Sequence, residues 1–303
     1  NSGAEAVECA IKMTRRYHHA NGQSEKFRII TFNGSFHGRT LSTIAAGGSE
    51  KLTKGFGPKV DGFDVLPFFS DMKKVEDHIT TETAGIMIEP IQGEGGIRSV
   101  TTKNLIVLRK LADKHGILLI FDEIQCGIGR TGKLFCHEHA GVTPDIMPIA
   151  KGIGGGFPLG ACLAKNSVAK HMTIGTHGST YGGNPLAMAM GNAVLDVLEE
   201  EKILSNVKIM SEKLKVELIS LSKKYPEIID EIRGLGLMIG LKLHRNPREF
   251  IAQAFENKLL VVGASENTIR ILPPLNITLA DINEASKKLN KTCLDELKKF
   301  KTI

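Results

Sequence analysis

Leu118-Leu119-Ile120-Phe121-Asp122-Glu123-Ile124-Gln125, continuing as CGIGRTG from Cys126 to Gly132, sets an apolar run directly before two carboxylates. A short apolar run closed by turn residues fits a strand buried on both faces, and such strands belong to parallel sheets covered by helices. Runs of the same kind recur at Arg28–Phe32, Asp64–Pro67, Gly85–Glu89, Ile117–Phe121, Asp145–Ile149 and Leu159–Ala164. Helical periodicity fills the gaps, as from Ser2 to about Tyr17 and over Lys103–His115. Strand alternating with helix predicts an α/β fold, in which ligands collect beyond the carboxyl ends of the strands.

After the helical stretch Pro185 to about Leu198, a second amphipathic segment runs to Lys224 and the composition then changes. Short strands at Ile232–Leu243, Leu259–Val262 and Thr268–Leu272, with two helices, predict a smaller α+β domain. The expected division is a large, mainly parallel-sheet domain over 1–200 and a C-terminal domain over 201–303, in keeping with a chain of 303 residues.

Bulk composition narrows the function classes. Hydrophobic residues make up 42% and charged residues 24%, and no apolar run approaches the ~20 residues that span a bilayer. The net charge of +6 is dispersed: Lys213 to Lys224 and Lys287 to Lys299 alternate with leucines and acids at helical spacing, which argues against a nucleic-acid surface. Five cysteines without a CxxC pair suggest neither a disulfide framework nor a zinc site and point to a reducing, cytoplasmic setting. The opening NSGAEAVECA lacks the regions of a signal peptide and reads as a helix start, with Ser2 and Glu5 spaced as a capping box; the chain is expected to begin inside a fold.

Three segments carry chemistry. In IMPIAKGIGGGFP, Ile146 to Pro158, Lys151 follows an apolar strand, so buried surroundings are expected to favour its neutral, imine-forming amine. The glycines behind it permit close approach of a ligand. A surface lysine at an ordinary strand–loop junction has the same local sequence. Asp122 ends its strand where an ionised carboxylate can keep a pyridine nitrogen protonated. A helix N-cap or a Mg²⁺ acid is the plainer reading, although no glycine–lysine phosphate loop precedes it. Asn1–Ala6 places small residues at a helix N-terminus, where free N–H groups favour a phosphate.

Together these segments resemble the class III aminotransferases of fold type I, dependent on pyridoxal phosphate, and most closely the acetylornithine and ornithine group. The resemblance rests on NSGAEA, on SFHGRT from Ser35 to Thr40, on EPIQGEGG from Glu89 to Gly96, on FDEIQCGIGRTG and on the AKGIGGG lysine. HGSTYGGNPL from His177 to Leu186 and TIRILPP from Thr268 to Pro274 complete it. It implies that Lys151 forms the Schiff base and Asp122 pairs with the pyridine nitrogen. It also implies that Gly3 and Ala4 hold the phosphate, that Phe36 and Ile124 sandwich the ring, and that Gln125 contacts its phenolic oxygen. Thr180 would reach the phosphate across a homodimer interface and Ser179 would lie near the substrate. Where the family often carries a hydroxyl, this chain has Ala4, so a side-chain hydrogen bond is expected to be missing there. The family also has a sizeable segment before NSGAEA that helps form the dimer and the substrate entrance.

By the same resemblance, Arg39 would bind the far carboxylate of a substrate and Arg270 the α-carboxylate of glutamate, with Glu94 neutralising Arg270 while an ω-amino donor is bound. An arginine fork suits a carboxylate as lysine does not; a purely structural ion pair is the other reading. The implied reaction moves the ω-amino group of N-acetylornithine to 2-oxoglutarate, giving N-acetylglutamate semialdehyde and glutamate, a step of arginine biosynthesis. Ornithine, succinyl-diaminopimelate and 4-aminobutyrate are alternative donors, an aminomutase is an alternative reaction, and a non-catalytic remnant is the alternative of another class.

Overall fold

The computed structural model describes residues 1–301 and divides into two compact units. The first comprises residues 1–90, 100–128 and 135–196; the second comprises 91–99, 129–134 and 197 onward. Two segments from within the first half of the chain therefore belong to the second unit.

The first unit holds the helices α1 (Gly3–Ala20), α2 (Leu41–Gly47), α3 (Glu50–Thr53), α4 (Thr102–His115), α5 (Asn166–Ala169) and most of α6 (Pro185–Glu200). Its sheet contains β1 (Arg28–Phe32), β2 (Phe63–Leu66), β3 (Thr83–Ile88), β6 (Leu118–Phe121), β7 (Ile146–Ile149) and β8 (Ala161–Ala164), in the order β2-β1-β3-β6-β7-β8. β4 (Ile91–Gln92) and β5 (Arg98–Ser99) form a separate hairpin in the second unit. All neighbouring pairs in the large sheet are parallel except β7 with β8, which is antiparallel.

Burial explains the apolar runs. Every residue of β3, β6 and β7 is buried, as strands covered on both faces require. Ile30, Phe32, Ile86, Ile88, Leu119 and Phe121 face one core, shared with Leu105, Leu108 and Leu111 of α4. Ile29, Met87, Leu118, Ile120 and Ile146 face the other, shared with Val7, Ala10 and Ile11 of α1. The alternation of partners along each strand is the period-two geometry of a pleated strand. α4 is bounded as its sequence demands: Thr101 caps it by accepting from Asn104 N, and Gly116 ends it at φ 59°.

The second unit carries a four-stranded sheet ordered β11-β12-β10-β9, from β9 (Ile229–Leu235), β10 (Met238–Leu243), β11 (Val262–Gly263) and β12 (Thr268–Ile271), all antiparallel. The helices α7 (Ile203–Lys224), α8 (Pro247–Glu256) and α9 (Leu279–Lys301) belong to it. The run from Ile232 to Leu243 is two strands because Gly236, at φ 60°, makes the turn between them. The strand expected from Leu259 begins only at Val262. Among the described residues, no helix is long and apolar enough to cross a membrane, and no cluster of His, Cys, Asp and Glu is arranged to hold a metal.

Candidate active site

Four adjacent strands of the large sheet release their chains at the same edge, and each release carries a polar group. Beyond β1 come Phe36 and His37, beyond β3 comes Glu89, beyond β6 Asp122, and beyond β7 Lys151. Parallel pairing enforces this gathering: Ile88 is in register with Phe121, and Asp122 N donates to Ile88 O at 2.9 Å.

Asp122 is 2% exposed. Its Oδ1 accepts from Ile124 N at 3.1 Å, and its Oδ2 lies 2.7 Å from His37 Nδ1. Burial opposes a charged imidazole at His37, but the hydrogen bond and charge of Asp122, helped by the charge of Glu89, outweigh it and raise the His37 pKa above its ordinary value. The other ring nitrogen, His37 Nε2, is buried and has no partner among the described residues. Glu89 is buried, and its Oε1 accepts from Phe36 N at 2.8 Å. Next to Asp122, the fully buried Glu123 accepts from Cys136 N at 2.6 Å and His137 N at 2.7 Å, and its Oε1 lies 2.9 Å from His137 Nδ1, tying the following loop to the end of β6.

A cavity of about 350 Å³ opens at this edge, bounded by Asn1–Ala4, Phe36–Arg39, Ile124, Ala150–Lys151 and Phe157–Leu159. That is within the range of small-molecule sites, roughly 300–1,000 Å³. Gly3, Ala4, Phe36, Arg39, Ile124 and Lys151, all singled out in the sequence, line it together. Asp122 does not line it but bonds to two residues that do, His37 and Ile124. Gln125 follows Ile124, half-buried and outside the lining.

Lys151 departs from expectation. The apolar approach holds, with Ile149 and Ala150 buried, yet Lys151 itself is exposed in the protomer. The reason is local: Ala150 is extended, and Lys151 then takes φ 49° as the first residue of a 3₁₀ turn. Its amine makes no hydrogen bond or ion pair among the described residues and borders the cavity. A non-glycine residue at positive φ costs about 1–3 kcal/mol and persists where the surroundings impose it.

The helix α1 starts at the cavity. Ser2 Oγ accepts from Glu5 N at 3.3 Å and Ser2 O from Ala6 N at 3.1 Å, while Gly3 N and Ala4 N have no intrahelical acceptor. Only half of the expected capping box forms, because the Glu5 carboxylate bonds Ser2 Oγ at 2.9 Å and Asn1 Nδ2 at 3.0 Å. Gly38 faces this helix start at φ 136°, and a Cβ there would come within 2.8 Å of Ala4 Cβ. The fit to a phosphorylated, ring-shaped group is therefore structural: free N–H groups at a helix start, a glycine-shaped wall, an unpaired amine and a buried carboxylate behind the wall.

Arg39 places its guanidinium 5.4 Å from the centre of the Phe36 ring. Ser179 Oγ accepts from Asn1 Nδ2 at 2.6 Å, so Ser179 is joined to the start of the site, whereas Thr180 is exposed and does not line the cavity. In the second unit Arg270, 7% exposed, donates through Nη1 to Glu94 Oε1 at 2.6 Å and through Nη2 to Gly263 O at 3.1 Å. Glu94 is placed by the hairpin of β4 and β5, where its carbonyl accepts from Ser265 N at 2.9 Å. His37 and Glu89 carried no role in the sequence reading. Glu89 follows the apolar run of β3, but nothing in periodicity marks His37; only the order β1-β3-β6 brings them to Asp122.

The family model for class III aminotransferases matches residues 1–293. The acetylornithine aminotransferase of Mesorhizobium japonicum is 57% identical over 289 residues, 95% of this chain and 72% of that protein. The acetylornithine aminotransferase of Agrobacterium fabrum is 57% identical over 94% of this chain and 71% of its own length. Among solved structures, N-acetylornithine aminotransferase from Stenotrophomonas maltophilia superposes with a TM-score of 0.82 at 36% identity, over 98% of this chain and 74% of that one. Ornithine aminotransferase from Toxoplasma gondii gives 0.93 at 31% identity, over 99% and 72%. The chain belongs to the class III aminotransferases, a pyridoxal-phosphate-dependent family of transferases.

Proposed function

We propose that this enzyme transfers the ω-amino group of N-acetylornithine to 2-oxoglutarate, producing N-acetylglutamate semialdehyde and glutamate. The observation that carries this reading is the identity of 57% to each of two relatives named acetylornithine aminotransferase, over 94–95% of the chain. The absence of a membrane-crossing helix among the described residues and the unpaired cysteines suit a cytoplasmic biosynthetic enzyme.

The residues divide the work. Pyridoxal phosphate, when bound, supplies an electron sink that stabilises negative charge at the substrate carbon. Lys151 Nζ, which borders the cavity, would hold the cofactor covalently and, once free of it, would serve as the group that takes up and returns a proton at the substrate carbon. Asp122 keeps the pyridine nitrogen protonated. The N–H groups of Gly3 and Ala4 bind the phosphate with the help of the α1 dipole. Phe36 and Ile124, which both line the cavity, would hold the ring, and Gln125 would supply a polar contact to it. Ser179 borders the substrate, and Arg39 binds its far carboxylate. Arg270 receives the α-carboxylate of glutamate and is neutralised by Glu94 when the ω-amino donor is bound.

The working form is a homodimer in which Thr180 of the partner subunit adds to the phosphate site. Tyr181, Leu186 and Leu195, each at least 40% exposed in the protomer, support a covered surface in that region. The test is a comparison of kcat/KM for N-acetylornithine, ornithine, succinyl-diaminopimelate and 4-aminobutyrate, each with 2-oxoglutarate. N-acetylornithine is expected to lead. A better value for any of the other donors, or turnover that needs no 2-oxoglutarate, overturns the assignment.

A further inference from the structure

We propose that Glu89 is a positioning residue for the cofactor: one oxygen of its buried carboxylate fixes the backbone of Phe36, and its negative charge helps hold His37 against Asp122. The proposal deepens the functional reading above and rests on it for the identity of the bound group.

Two observations support it. First, Phe36 lies in an irregular segment after β1, where no strand ladder fixes the backbone, and its N–H is donated to Glu89 Oε1 at 2.8 Å. The position of the ring that borders the cavity is therefore set from the end of β3. Second, Glu89 and Asp122 leave adjacent paired strands, so two buried carboxylates stand on neighbouring chain ends. Like charges in such a setting raise each other's cost unless a cation answers them. His37 is placed to answer them: its Nδ1 lies 2.7 Å from Asp122 Oδ2, and both acids favour the charged imidazole. Asp122 and Glu89 are the charged groups that act on it, and the other charged residues at the cavity are Lys151 and Arg39.

Substitution separates the two actions. Glu89→Gln retains an oxygen that accepts from Phe36 N–H and removes the charge; Glu89→Ala removes both. The readouts are the ring-nitrogen NMR titration of His37 in the full-length protein without added cofactor, and the dissociation constant for pyridoxal phosphate. In both variants His37 is expected to lose its proton at a lower pH than in the wild type, since the Glu89 charge that favours the imidazolium is gone. Pyridoxal phosphate is expected to bind Glu89→Gln within about threefold of wild type and Glu89→Ala at least about tenfold more weakly, since the second change leaves the Phe36 N–H without its acceptor. An unmoved His37 titration in Glu89→Gln overturns the proposal, as does unchanged affinity in Glu89→Ala. If Glu89→Ala does not fold, the His37 titration in Glu89→Gln decides alone. A wild-type protein that takes up no pyridoxal phosphate defeats the functional reading instead, and the His37 titration still settles whether Glu89 acts on the imidazole.

Discussion

Asp122→Asn changes a charge and almost nothing else. The side chain is 2% exposed and accepts from Ile124 N at 3.1 Å through Oδ1, a bond that the amide oxygen of the variant retains. At the other position the new amide nitrogen faces His37 Nδ1, now 2.7 Å from Oδ2, and donates to it once the imidazole is neutral. The hydrogen-bond count is conserved, so the stability cost is about 1 kcal/mol, or a shift of roughly 2–4 °C in Tm for a domain of this size. The chemical cost is much larger. At an ion-pair separation of about 4 Å and an effective dielectric constant near 20, a unit negative charge would contribute about 4 kcal/mol to keeping a ring nitrogen protonated. That corresponds to about three pKa units of the ring nitrogen and about a thousandfold in the proton-transfer rate. Rapid mixing of the loaded variant with N-acetylornithine, followed by absorbance, measures that half-reaction directly. A rate within tenfold of wild type, in a variant that is folded and loaded, refutes the role of Asp122.

Arg270→Ala is expected to slow the half-reaction with glutamate or 2-oxoglutarate far more than that with the ω-amino donor, because only the former presents an α-carboxylate to the guanidinium. Glu94→Ala is expected to shift preference towards glutamate by at least about tenfold, since removing the partner at 2.6 Å leaves a buried charge that favours a carboxylate; equal slowing of both half-reactions in both variants makes the pair structural. Asp145→Asn is expected to cost about 2 kcal/mol in urea unfolding near neutral pH, because Asp145 accepts from Arg109 at 2.7 Å, Lys165 at 2.8 Å and Leu119 N at 2.8 Å. Burial alone would raise the pKa of that carboxyl, but these donors outweigh it and hold it below the ordinary aspartate range. Its stabilisation is therefore complete above the unfolded pKa of ~3.9 and is lost as pH falls through the lower folded value, so the difference from wild type should shrink in acid. A difference that is the same near pH 7 and near pH 2 contradicts this.

The parts of the fold that were legible are those in which one physical pattern dominates. Strands buried on both faces show as unbroken apolar runs, as in Leu118–Phe121, and the helix between Thr101 and Gly116 announces both caps. The antiparallel strand β8 reads the same as its parallel neighbours, since residue pattern does not encode direction at a sheet edge. The hairpin of Ile91–Gln92 with Arg98–Ser99 is too short to have a period, and its membership in the second unit depends on contacts distant in sequence. At the site, glycines, the helix start and the carboxylate after an apolar strand nominate Gly3, Asp122 and Lys151 from local chemistry. Glu89 follows the apolar run of β3 as Asp122 follows that of β6, so its place was legible but its contact with Phe36 was not; His37 has no local signal, because its partner arrives from another strand. For Lys151 the local sequence allowed both a buried and a surface setting; the exposed one is found, with the residue at φ 49° opening a 3₁₀ turn directly after the buried strand.

Whether Lys151 carries the cofactor is decided by borohydride reduction of the pyridoxal-phosphate-loaded protein followed by peptide mapping. A single reduced adduct is expected on the peptide containing Lys151, lost in Lys151→Ala. An adduct on any other lysine, or one that survives in Lys151→Ala, contradicts it.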